Sequence, residues 1–289
     1  MQGGGLTDWV SSLSLAGVAL AMLASMVLAA LAGRALRQLR RRFAPGHEDA
    51  EHNQESYLIG SMLGLLALLL AFSFAMAVDR YEERRHLVVQ EANAISTAYL
   101  RSQLLDQPHR SRLSSLLVQY TDNRIALGSA GSDEVGSRLA ANDKLLAEIW
   151  AAVTAARNSA NAYGISTPIL MTFNEVIDLD TERKVARLVR VPTPVLLLLY
   201  SFLNMTAGVL GFVLEERRAW LGAFVLFVLL SLYVSIIADL NRPASGNIRE
   251  SQEPMLMLRQ SLKAQPSKMF DRFNAIPENA PSDSRASSQ

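Results

Sequence analysis

Four stretches of this chain run about twenty residues each without a single charge, and no other feature limits its fold as much. They cover residues 10–32, 57–78, 195–214 and 219–238. A bilayer core of about 30 Å is crossed by roughly 20 apolar residues of helix. A core helix of a soluble protein would carry a polar stripe over that length. The sequence therefore predicts an all-α membrane protein. Four transmembrane helices are expected, with a helical extramembrane domain at residues 79–190, between the second and third spans. Only 19% of the 289 residues are charged, against about a quarter in soluble domains.

The first stretch does not read as a cleaved signal peptide. Such a peptide has a basic start and a short apolar core. Here MQGGGLTDWV carries Asp8 and no Lys or Arg, and the basic cluster follows the apolar run. With no cysteine in the chain, disulfides, thiolate metal sites and cysteine nucleophiles are excluded. A net charge of +1 gives no reason to expect nucleic acid. With four histidines, no metal and no cofactor are expected. The lipid bilayer is the one partner composition names directly.

Small residues recur every four positions in two spans. Gly17, Ala21, Ser25, Ala29 and Gly33 do so in the first, and Gly60, Gly64, Ala67, Ala71 and Ala75 nearly so in the second. Such faces let helix backbones approach closely. Asn204 and Thr206, inside the third span, are expected to bond a neighbouring helix.

The linker at 33–56 starts with Arg34, Arg37, Arg40, Arg41 and Arg42, breaks near Pro45-Gly46, and turns acidic. His47 and His52 flank acids there, at a spacing that matches no ligand motif. No Pro or Gly falls between Leu65 and Gln107, so the second span is expected to leave the membrane as one helix about 70 Å long. Beyond lipid, Val88, Ala92, Ile95 and Tyr99 form an apolar seam suited to helix packing. Leu113, Leu116, Leu117 and Tyr120 share a face of the next helix, and Leu139, Leu146, Ile149 and Val153 belong to a third. A loop is expected from Gly128 to Gly136. Ser166-Thr-Pro168 reads as a helix start. The VPTP run at 191–194 separates that helix from the third span. The tail spans 239–289, with disorder expected from about 266.

Glu175, Asp178 and Glu182 share a helical face beside Asp180. Carboxylates so spaced suit a cation such as Ca²⁺. Arg183, Lys184 and Arg187 follow at once, and ordinary helix salt bridges are the expected use. Arginines near the spans are almost balanced between the two sides, so the positive-inside rule does not choose an orientation.

The densest motif is LLALLLAFSFAMAVDRYEERRHLVVQEANAISTAYLR. Its charges alternate at helical spacing, which by itself reads as a solvated, self-paired helix leaving lipid. The run DRYEERR…EANAI, the EHNQESY segment before the second span and VPTP before the third resemble the bestrophin-like family of membrane proteins, over most of residues 50–262. More distantly, the stretch is similar to bacterial bestrophin channels. The Asp239-Leu-Asn-Arg-Pro…Glu253-Pro254 segment is loosely like the acidic element after their last span. The resemblance implies a homo-oligomer, a pentamer by analogy, that conducts inorganic ions, anions among them. It implies the bacterial inner membrane, with the large domain in the cytoplasm. It also implies a constriction of bulky residues on the second span, for which Leu66, Leu70 and Phe74 share a face, and charged rings of Asp79 and Arg80 at its end. The motif departs from the family at Tyr81-Glu82-Glu83, and the ordinary use of an apolar stripe is core or lipid contact.

Two functions follow. An oligomeric ion channel needs no catalytic residue. A membrane-anchored helical scaffold without a pore would use the apolar seam to hold a partner. An enzyme is not expected: HExxH, GxSxG, a phosphate-binding glycine loop and paired intramembrane acids are all absent from the sequence.

Overall fold

The computed structural model describes residues 14–43, 52–242 and 246–271. Among them every regular element is a helix: α1 (Leu15–Phe43), α2 (His52–Ser102), α3 (His109–Ser129), α4 (Ser132–Ala155), α5 (Arg157–Ala162), α6 (Ser166–Leu188), α7 (Thr193–Val213), α8 (Arg217–Leu240) and α9 (Glu253–Ala264), followed by a 3₁₀ turn at Ser267–Phe270. Four apolar stretches long enough to cross a bilayer lie in α1, in α2, within Ser166–Val213 and in α8. The start of the first span, the Pro45-Gly46 break, the His47 cluster and the last residues of the tail lie outside the described residues.

The chain divides into two compact units. Unit 1 takes Met1–His86 and Arg183–Glu250 and holds the four apolar stretches. Its core gathers Met26 and Ala30 of α1, Leu66, Leu70 and Ala77 of α2, Leu199, Leu203 and Leu210 of α7, and Phe227 and Ile237 of α8. α1 lies closest to α7, where the two backbones touch. A Cβ on Gly33 would stand 1.9 Å from the Gly208 carbonyl oxygen, and one on Gly211 1.9 Å from that of Ala30. Only hydrogen fits at either glycine.

The stripe on α2 is used differently. Around Gly60 and Gly64 an added Cβ would meet nothing within 4 Å, and Ala67, Ala71 and Ala75 are exposed. Asn204 and Thr206 do not reach across to another helix. Asn204 Nδ2 donates to Tyr200 O at 2.9 Å and Thr206 Oγ1 to Phe202 O at 2.8 Å, so both bond back within α7.

Unit 2 takes Leu87–Glu182 and Ser251–Gln289. The seam residues Val88, Ala92, Ile95 and Tyr99 are all buried, as are Leu113, Leu116, Leu117 and Tyr120 of α3. α2 ends at Ser102 rather than continuing to Gln107. Ser102 Oγ and Gln103 Nε2 donate to Tyr99 O at 2.6 and 2.8 Å and occupy a carbonyl of the last turn. The expected loop at 128–136 shrinks to Ala130 and Gly131, because α4 starts at Ser132 with Asp133 and Glu134 in its first turn, where the helix dipole favours acids. In the tail, Ser267–Phe270 form the 3₁₀ turn, and Asp271 Oδ1 lies 2.7 Å from Arg110 Nη2.

Candidate functional site

Within unit 1, α2 has two unlike faces. Leu66 and Leu70 are buried in the core of the protomer, and Phe74 is half-buried with its ring 5.5 Å from that of Tyr233 on α8. These three residues face the other spans of their own chain. The opposite face carries Gly64, Leu68, Phe72, Ala75 and Asp79, all exposed. At 100° per residue they form one stripe along the helix. Arg80 beside it is half-buried.

The charged run that follows is not simply self-paired. Arg85 does meet Glu82 at 3.5 Å on the surface. Arg84, by contrast, is buried: its Nε pairs with Glu250, itself buried, and its Nη2 donates to Leu240 O at 2.9 Å. The same segment is tied down by Asp239. Its carboxylate accepts the Asn247 N–H at 2.9 Å and the Ile248 N–H at 2.8 Å. Asn241 Oδ1 accepts the Val191 N–H at 2.7 Å and closes the VPTP break against the end of α8. Residues 246–250 are thus strapped to the end of α8 and to Arg84.

Unit 2 contains a charged cluster out of contact with water. Arg124 Nε lies 2.8 Å from Glu91 Oε1, and its Nη2 donates to Glu91 Oε2 at 3.1 Å. Its Nη1 donates to Asp180 Oδ1 at 3.0 Å, which also accepts Asn142 Nδ2 at 2.8 Å. Tyr120 OH donates to Glu91 Oε1 at 2.6 Å. Burial, reinforced by Glu91, pushes the Tyr120 hydroxyl well above its ordinary range. Burial works against the Arg124 charge, but Glu91, Tyr120 and Asp180 outweigh it and hold the guanidinium charged. Sequence reading missed this cluster, although a signal was present. Arg124 falls four after Tyr120 and seven after Leu117, in register with an apolar face. A charge there must be buried with partners.

Asp180 therefore stands apart from its acidic neighbours. Glu175, Asp178 and Glu182 line an open groove of about 620 Å³ with Gln90, Asn93, Thr97 and Arg101 of α2. Arg101 at its end donates to Pro168 O at 2.8 Å and bonds Thr172. Among the described residues no group of three His, Asp or Glu side chains is placed to hold a metal ion.

The sequence profile of the Bestrophin-like domain matches residues 26–255. No individual curated protein matches the chain. Solved structures of a bacterial bestrophin homologue from Klebsiella pneumoniae share its fold. One variant superposes with a TM-score of 0.58 at 16% identity, covering 89% of this chain and 99% of that one. A second gives 0.56 at 16% identity, covering 87% and 99%. A third gives 0.55 at 15% identity, covering 94% and 100%.

Proposed function

Because the chain belongs to the Bestrophin-like family, we propose that it is an oligomeric ion channel whose second span lines a pore shared between copies. The observation that carries this reading is the unfilled face of α2. Among the described residues of the protomer nothing covers Gly60, Gly64, Ala67, Ala71 or Ala75. Small residues in that pattern seat a neighbouring helix backbone. A neighbour packed there turns Leu68 and Phe72 toward a common axis, where bulky apolar side chains gate by dewetting. Leu66, Leu70 and Phe74 are committed to the protomer core, so the constriction moves to Leu68 and Phe72. Asp79 and Arg80 supply the charges at the pore's end. By resemblance the assembly is a pentamer in a bacterial inner membrane, with residues 79–190 in the cytoplasm and anions as the conducted species.

The test is ion flux from liposomes containing the purified full chain. Leu68→Ala widens the constriction and raises flux. Leu229→Ala, at an exposed position on α8, leaves it unchanged. Reversal potentials under chloride and then sodium gradients give the sign: dominance of the Asp79 ring favours cations and that of Arg80 anions. A well-folded oligomer with no flux across several salts, Ca²⁺ levels and pH values overturns the channel reading. The pore-free scaffold would then take its place, with partner capture as the next measurement.

A further inference from the structure

The ten residues that end α1 do not follow the pattern of the span before them. Leu15 to Gly33 is nineteen residues of α1 without charge, about 28 Å of helix, which already matches the hydrocarbon core. The helix then continues to Phe43. This extension is two-faced. Arg34, Arg37 and Arg41 turn toward the α7–α8 connection. Arg37 Nη1 donates to Val213 O at 2.7 Å, one of the carbonyls the end of α7 leaves open. Arg37 and Arg41 both pair with Glu215, and the Arg34 guanidinium lies 5.3 Å from the Trp220 ring centroid. These contacts place the extension at the level where α7 ends and α8 begins. Its other face presents Leu36, Leu39 and Phe43, which are 60%, 51% and 81% exposed.

Arg217 and Arg218 stand in the same place and are exposed. They occupy the first turn of α8, which contains no acid. The helix dipole disfavours cations there. Of the two acids just before them, Glu216 is the N-cap residue and Glu215 already pairs with Arg37 and Arg41. An anion outside the chain gives both arginines a use. Exposed apolar side chains flanked by arginines, with a tryptophan at the same depth, match the interfacial zone of a bilayer. The arginine stems lie along apolar surface while their heads reach phosphates.

We propose that the end of α1 and the α7–α8 turn form a binding site for anionic phospholipid headgroups of the adjoining leaflet. Arg34, Arg217 and Arg218 hold the phosphate, and Leu36, Leu39 and Phe43 rest on the upper acyl chains. The occupant is lipid because the apolar ridge is continuous with the apolar surface of α1. The site does not depend on whether the protein conducts ions.

Trp220 serves as a reporter inside the site. The chain has three tryptophans, so Trp9→Phe and Trp150→Phe leave Trp220 alone. The full chain is reconstituted with phosphatidylcholine plus either brominated phosphatidylglycerol or brominated phosphatidylcholine, at matched mole fraction. The phosphatidylglycerol probe is expected to quench Trp220 with at least about fivefold higher apparent affinity, the order carried by one arginine near an anionic surface. High salt brings the two probes to parity, and Arg217→Gln/Arg218→Gln reduces the preference at least about fivefold, Arg34 keeping the remainder. That variant removes cations from a helix start and so does not threaten folding. Equal quenching by both lipids in the parent overturns the proposal. So does quenching by neither, which means that a second copy or another polypeptide covers the face. A preference undiminished by the double substitution overturns the assignment to these arginines.

Discussion

Arg124 Nη1 reaches Asp180 Oδ1 at 3.0 Å, although each side chain keeps only 2% of its exposure. The same guanidinium holds Glu91, so one cation serves two carboxylates away from water. Removing it leaves both uncompensated. Arg124→Met is expected to cost about 3–5 kcal/mol, measured by denaturant unfolding of the purified protein in detergent. Neutralising the partners as well, in Arg124→Met/Glu91→Gln/Asp180→Asn, recovers a large part of that loss. A loss below about 1 kcal/mol for the single variant, the range of a surface pair, contradicts the buried geometry.

Tyr120 gives the cluster an alkaline limit. Its hydroxyl titrates well above the usual tyrosine range when folded, chiefly through burial and then Glu91. The unfolded chain loses this proton near pH 10 while the folded chain keeps it. The folded state then binds more protons, so stability falls as pH rises through that value. Tyr120→Phe flattens this slope. It also costs about 1–3 kcal/mol at neutral pH, because Glu91 loses a donor it cannot replace from water. Unfolding followed between pH 8 and 11 checks both effects, and an unchanged slope in the variant excludes Tyr120 as its source.

Two glycines separate folding from assembly. A Cβ at Gly211 would lie 1.9 Å from the Ala30 carbonyl oxygen and 2.6 Å from Ala30 Cα. Backbone cannot yield by that much, so Gly211→Ala is expected to prevent the close approach of α1 and α7 and to abolish recovery of folded protein. Gly64 meets nothing within 4 Å. Gly64→Leu therefore leaves the protomer fold unchanged and, in the proposed oligomer, disrupts contact between copies. Light scattering of the detergent-solubilised protein reads this directly: an intact protomer of reduced assembly mass is expected. An unchanged assembly mass removes α2 from the interface.

The spans were legible because length and absence of charge fix them without tertiary information. The seam of Val88, Ala92, Ile95 and Tyr99 was legible for a similar reason, since four-three-four spacing has one structural use. The facing of α2 within its bundle was not. Leu66, Leu70 and Phe74 share a stripe, but Leu68 and Phe72 are just as apolar, and in lipid hydropathy does not distinguish inside from outside. Polar partners were also hidden. Glu250 lies far from Arg84 in sequence, and no local spacing connects them. Glu175, Asp178 and Glu182 were readable as a row, but the inward turn of Asp180 depends on Arg124, which a different helix supplies.

Asp239 provides a last test, because it holds the strap from within the chain. Its two carboxylate oxygens accept separate backbone N–H groups, of Asn247 and Ile248. Asn preserves the shape but leaves a single amide oxygen as acceptor, so Asp239→Asn loses one of these two bonds. Its NH₂ then faces a donor. The expected cost is about 1.5–3 kcal/mol, the range for hydrogen bonds to a charged group. Gly246→Ala acts on the same strap by another route, since its Cβ would stand 2.7 Å from both the Asp239 and Arg242 carbonyl oxygens. The two changes share one element, so their costs combine less than additively. Hydrogen exchange at Asn247 and Ile248 reports the opening. Both amides are expected to exchange faster in each variant, while those of α7 keep their protection. Faster exchange throughout α7 as well would make the strap part of the bundle's cooperative core rather than a segment tied on by Asp239.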